Sequence, residues 1–222
     1  MTGILDRLRG GLIVSCQARA GSALDDPAVI AAFARAAQDN GAVAVRVQGV
    51  ENIRAVRARV EVPVIGLVKR SYDGYEPYIT PSVREVEEVC GAGAQVVAFD
   101  ATARLRPGGA TLAQVHAAAR GAGALSMADC ARLQDAQTAR ELGIPVVATT
   151  LCGYTKDTAN ARLPALELVE AMRGLGFVIC EGGVHRPADA RAAREHGADA
   201  VVVGTAITNA DWLVEQFVAA LR

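Results

Sequence analysis

Eight short apolar runs, each followed directly by a polar residue or a glycine, divide this chain at near-regular intervals. They finish at or just before Gln17, Arg46, Lys69, Asp100, Asp129, Thr149-Thr150, Glu181 and Gly204-Thr205. The runs lack polar–apolar alternation, so they predict strands covered on both faces, as in a parallel sheet. Stretches of helical pattern separate them. Eight such βα units close most naturally into a (β/α)8 TIM barrel, whose chemistry gathers at the C-terminal ends of the strands. Polar residues at the run ends then face one shared pocket.

A recurring phrase supports this layout: a glycine, one or two residues, then a β-branched run. It occurs at Gly41, Gly93, Gly143, Gly176 and Gly197. Each reads as a helix ending on a left-handed glycine and feeding a buried strand. Strands are predicted near 12–16, 43–47, 64–68, 95–99, 124–128, 145–149, 177–180 and 200–203. Helix starts are expected at Asp26-Pro27, Thr80-Pro81, Thr111, Leu163-Pro164 and Arg186-Pro187. No linker or low-complexity tract interrupts the pattern, so residues 1–222 read as one domain. An open doubly wound sheet would show the same alternation, but no Gly-x-Gly-x-x-Gly follows the first strand, where the sequence is Ser15-Cys16-Gln17-Ala18-Arg19.

The formal net charge of -1, with no basic arm or stripe, argues against nucleic acid as the main partner. No apolar stretch is long enough for a membrane span, and the first ten residues are too charged for a signal peptide. Five cysteines, odd in number and without Cys-x-x-Cys spacing, predict neither a disulfide framework nor a zinc site and fit the cytoplasm. They read as packing residues. Apolar faces on the outer helices are compatible with a homodimer.

Lys69 directly follows an apolar strand, which places its amine over the barrel mouth. Partial desolvation and nearby Arg46 or Arg70 would lower its pKa and free a base or a Schiff-base nucleophile. A snorkelling surface lysine is the alternative. Glu181 emerges from Phe177-Val178-Ile179-Cys180, where a carboxylate is expensive unless paired or catalytic. Gly182-Gly183 and Gly204-Thr205 follow the seventh and eighth strands, the usual place for phosphate-cradling amides in barrels. Asp129 and Asp100 could bind a sugar hydroxyl or anchor their loops, and Gln17 and Arg46 could hold an amide or carbonyl oxygen. His116 and His196 are expected on helix surfaces, and the three histidines form no metal site.

Segments along the whole chain resemble the N-acetylmannosamine-6-phosphate 2-epimerase family. They include Leu12–Ala18, Gly66–Arg70, Tyr78–Pro81, Ala98–Thr102, Met127–Asp129, Thr149–Thr155 and Val203–Thr208. The resemblance implies a barrel of the ribulose-phosphate-binding type with no cofactor, acting on a phosphorylated amino sugar in amino sugar and sialic acid catabolism. It implies that Lys69 moves the proton on carbon 2 with Glu181 as acid/base partner. Gln17, Arg46, Asp129, Thr150 and Tyr154 would hold the sugar, and Gly182, Gly183, Gly204 and Thr205 the phosphate.

Two positions depart from the family pattern: Gly183 and Asn209 stand where basic residues are usual. Arg186 is the expected replacement for that charge. Two other functions stay open at this point. One is a Schiff-base aldolase using Lys69. The other is a phosphosugar-binding barrel without catalysis.

Overall fold

The computed structural model describes residues 2–222. The strands are β1 (Leu12–Cys16), β2 (Ala44–Gln48), β3 (Val64–Leu67), β4 (Val96–Asp100), β5 (Leu125–Asp129), β6 (Val146–Ala148), β7 (Phe177–Cys180) and β8 (Ala200–Val203). All neighbours pair in parallel and β8 returns to β1, closing a barrel in sequence order. The expected architecture is therefore the observed one.

Helices α2 (Pro27–Asp39), α3 (Val50–Arg57), α4 (Val83–Gly91), α5 (Leu112–Gly121), α6 (Leu133–Glu141), α7 (Leu166–Ala171) and α8 (Pro187–Glu195) occupy the crossovers. A short helix, α1 (Thr2–Leu8), precedes β1, while α9 (Thr205–Thr208) and α10 (Ala210–Ala220) follow β8. Leu8 of α1 joins the barrel's interior cluster and closes its N-terminal end, with Ile4 and Leu5 packed against it.

The local chemistry accounts for most boundaries. Asp26 caps α2, its carboxylate accepting from the amides of Ala28 and Val29 at 2.7 and 3.3 Å. Thr111 and Gln114 form the capping box of α5. Two starts differ: α7 begins at Leu166 after Ala165, two residues beyond the expected Leu163-Pro164, and α4 is capped by Ser82, in a box with Glu85, two residues after the expected Thr80. Thr80 instead accepts from the Val68 amide at 3.2 Å and ties the loop to β3.

Gly41, Gly93, Gly143 and Gly197 take the left-handed conformation expected at helix ends. Gly176 does not; there a Cβ would lie 2.9 Å from the Pro145 carbonyl oxygen, so close approach excludes a side chain. His116 is also a correction. It is buried, its Nδ1 2.8 Å from the Ser126 hydroxyl, because its face of α5 packs on the sheet. All five cysteines are free, and burial pushes the Cys16 thiol up to about 12 and Cys180 up to about 11.

Candidate active site

Parity along the strands decides which residues meet. Ile13, Ala44, Leu67, Met127, Ala148 and Ile179 pack inside the barrel. Val14, Val45, Val68, Ala128, Val147 and Cys180 pack outward beneath the helices. Side chains alternate, so two residues beyond each interior position the chain points inward again. That rule brings Ser15, Arg46, Lys69, Asp129, Thr150 and Glu181 to the same end of the barrel.

Arg46 organises them. It is 1% exposed, and its Nη1 and Nη2 donate to the two Asp129 oxygens at 3.0 and 2.7 Å. Nη1 also lies 2.8 Å from Glu181 Oε2. The Thr150 hydroxyl donates to Asp129 Oδ1 at 2.6 Å and stands 3.3 Å from Glu181 Oε2. The Thr149 hydroxyl fixes the Glu181 backbone from both sides, accepting from its amide and donating to its carbonyl. Burial pushes Glu181 up from an ordinary 4.5 to about 7, a rise that Asp129 reinforces and Arg46, Thr150 and Lys69 oppose.

Lys69 arrives from the strand diametrically opposite. An antiparallel bridge to Ile79 holds it, formed where the loop after β3 folds back. Its side chain is open to the solvent of the cavity yet crowded by protein on its flanks. That crowding lowers its pKa from the usual lysine value, Arg46 lowers it further, and Glu181 and Asp129 pull the other way. A weakened ammonium thus faces a carboxyl that holds its proton near neutrality.

Both groups open into a cavity of about 420 Å3. Gln17, Thr150 and Tyr154 line it, as do Gly182, Gly183, Gly204 and Thr205. Asp129, expected to touch sugar oxygens, is fully buried and outside the lining; it bears on the cavity through Arg46 and Thr150, which it holds. Asp100 is a loop anchor: Thr102 and Arg104 take its oxygens, at 2.6 Å each from the Thr102 hydroxyl and Arg104 Nη2. Arg186 corrects another expectation. Its side chain is turned to solvent and paired with Asp189 at 2.9 Å, away from the cavity.

Three lining residues with large polar side chains escaped the sequence reading. Tyr78 is carried in by the folded-back loop, its backbone carbonyl accepting from the Arg70 amide at 2.9 Å. His185 lines the wall and stacks on Trp212 with ring centroids 5.2 Å apart. Arg19 projects from the loop after β1. Only Tyr78 lay inside a motif that could have flagged it. Among the described residues, no group of three or more His, Cys, Asp or Glu is arranged to hold a metal ion.

Residues 30–222 match the sequence profile of a family described as "Putative N-acetylmannosamine-6-phosphate epimerase". The chain belongs to that family. One relative in the N-acetylmannosamine-6-phosphate epimerase family, from Caldanaerobacter subterraneus subsp. tengcongensis, is 42% identical over 223 residues, covering 99% of this chain and 94% of its own. A second, from Yersinia pseudotuberculosis serotype O:3, is 43% identical over 217 residues, covering 97% and 92%. Both carry the name "Putative N-acetylmannosamine-6-phosphate 2-epimerase". Among solved structures, the N-acetylmannosamine-6-phosphate 2-epimerase from Clostridium perfringens superposes with a TM-score of 0.94 at 36% identity, over 98% of this chain and 96% of that one. A thiamine phosphate pyrophosphorylase from Pyrococcus furiosus shares only the fold, with a TM-score of 0.63 at 16% identity over 94% and 91% of the two chains.

Proposed function

We propose that this chain is an isomerase that interconverts N-acetylmannosamine 6-phosphate and N-acetylglucosamine 6-phosphate by inverting carbon 2. The observation that carries this reading is the opposition of Lys69 and Glu181 across one cavity, in a member of the epimerase family. Inversion beside a masked aldehyde needs the sugar ring opened, the acidified C2 proton removed, and a proton returned to the other face. A base, a polarising acid and a pocket that limits water serve those needs.

In this reading the neutral Lys69 amine takes the C2 proton while the Glu181 carboxyl donates to the aldehyde oxygen, giving an enol. A solvent proton delivered to carbon 2 on the opposite face restores the aldehyde, the enol proton goes back to Glu181, and the Lys69 ammonium releases the proton it took to the water of the cavity. Arg46 holds Glu181 in place, with Asp129 fixing the guanidinium from behind. Gln17, Thr150 and Tyr154 contact the sugar. The glycine loops at Gly182, Gly183, Gly204 and Thr205 receive the phosphate. Five free cysteines support a cytoplasmic location, and among the described residues no helix is long and apolar enough to cross a membrane. Exposed Val214 and Phe217 on α10, with Leu221 just past its end, support a homodimer.

Proton NMR of the protein with N-acetylmannosamine 6-phosphate in heavy water tests the reading. The gluco epimer should accumulate with deuterium at carbon 2; a folded protein that leaves the substrate unchanged sinks it. The raised Glu181 pKa adds a pH signature. Between about pH 4.5 and 7 the folded protein keeps a proton that the unfolded chain has released, so stability falls as pH rises through that window. Glu181→Gln should flatten that slope in urea titrations. In kcat/KM, wild type should show a limb near pH 7 that the residual activity of the variant lacks.

A further inference from the structure

We propose that Arg19 is the side chain that recognises the anionic group of the ligand, and so sets the preference for a phosphorylated sugar. The sugar's identity rests on the epimerase reading; the recognition of a phosphate does not.

The charge inventory of the cavity points to this residue. Among the described residues, its lining holds three lysine or arginine side chains: Arg19, Arg46 and Lys69. Arg46 is already committed, with both terminal nitrogens on Asp129 and one also on Glu181, and it is fully enclosed. Lys69 faces the same carboxylates from β3 and is engaged at carbon 2. A phosphate monoester brings close to two negative charges at neutral pH. The loops after β7 and β8 offer it backbone amides and no lysine or arginine side chain in the lining.

Nor can those loops readily regain one. Gly183 has φ +70°, and a Cβ there would sit 2.3 Å from Leu163 Cβ and 3.2 Å from the Leu163 carbonyl carbon. Asn209 is occupied as the cap of α10, accepting from the Trp212 amide at 3.0 Å. Arg186 points away. The loop after β1 lies beside β8 in the closed sheet, so Arg19 and Gly204 share one side of the mouth.

The guanidinium of Arg19 is held ready. It forks onto Glu215 of α10, Nη1 to Oε1 at 2.8 Å and Nη2 to Oε2 at 3.1 Å. A fork that fits a carboxylate also fits a phosphate. Both partners are more than half exposed, so the pair is weak and screened. A dianion entering the cavity can displace Glu215 while the arginine keeps its orientation. Glu215 is then a competitor for the same fork.

Calorimetric titration with inorganic phosphate, beside kinetics on N-acetylmannosamine 6-phosphate, tests this in three variants. Arg19→Ala should weaken phosphate binding and lower kcat/KM by about 10- to 100-fold, the loss of one charged hydrogen bond. Arg19→Lys should recover part of the loss, and Glu215→Gln should tighten phosphate binding by freeing the fork. Arg186→Ala, outside the cavity, should behave as wild type. Phosphate affinity unchanged in Arg19→Ala overturns the proposal, even where kcat/KM falls, because the effect is then structural. A wild type without epimerase activity sinks the epimerase reading alone, since the phosphate titration still decides the part played by Arg19.

Discussion

Lys69→Ala should lower epimerisation by about 10²- to 10⁴-fold, the usual contribution of a positioned general base, and abolish deuterium uptake at carbon 2. The fold should survive the change. The lysine tip is open to the cavity, and both burial and Arg46 work against its charge, so removing it relieves a tension rather than breaking a support. A melting temperature near that of wild type, alongside the lost activity, separates a missing base from a damaged barrel. Lys69→Arg should fare no better than alanine, because a guanidinium stays protonated at every working pH and cannot accept the C2 proton.

The same position distinguishes the aldolase reading. A lysine with a depressed pKa also forms imines with carbonyl substrates. Borohydride added during turnover should leave Lys69 unmodified if the amine only shuttles a proton, whereas trapped substrate on Lys69 would replace epimerisation with imine chemistry. The binding-barrel reading predicts affinity for the phosphosugar with no exchange at carbon 2. Lys69 and Glu181 weigh against it, since a weakened ammonium opposite a protonated carboxyl is a strained arrangement that binding alone does not require.

The barrel was legible because each strand is a buried run closed by a polar residue, and because glycine punctuates the helix ends. The placement of Lys69 and Glu181 followed from the same signal. Burial depth did not. Asp100 and Asp129 both end apolar runs and look alike in sequence, yet one ties a loop through Arg104 and the other lies under Arg46. A strand buried on both faces has no alternation to reveal which residues point inward, and partners arriving from other strands leave no local trace. Tyr78 and Arg19 were opaque for a related reason. Their positions depend on loops whose path is set by long-range contacts: the Lys69–Ile79 bridge for one and Glu215, 196 residues away, for the other.

Arg46→Ala should be the most destabilising single change at the site. It strands Asp129, which is fully buried, and Glu181, which is 13% exposed, without their shared cation. Breaking a buried ion pair from one side costs about 3–5 kcal/mol, which in a chain of this size lowers the melting temperature by roughly 6–20 °C. The loss should depend on pH in a fixed direction. Arg46 is the strongest influence opposing the rise of the Glu181 pKa, so without it that pKa climbs above the present value of about 7. The folded variant then holds its proton to higher pH, while the unfolded chain gives it up near the ordinary carboxyl value. The deficit relative to wild type should therefore widen from pH 5 to pH 8. Urea titrations at both values check it, and a deficit constant with pH would mean that packing rather than charge is lost. Activity should fall in parallel. The guanidinium that restrains Glu181 also lowers Lys69, and removing it moves both groups away from the values that let one take a proton while the other gives one.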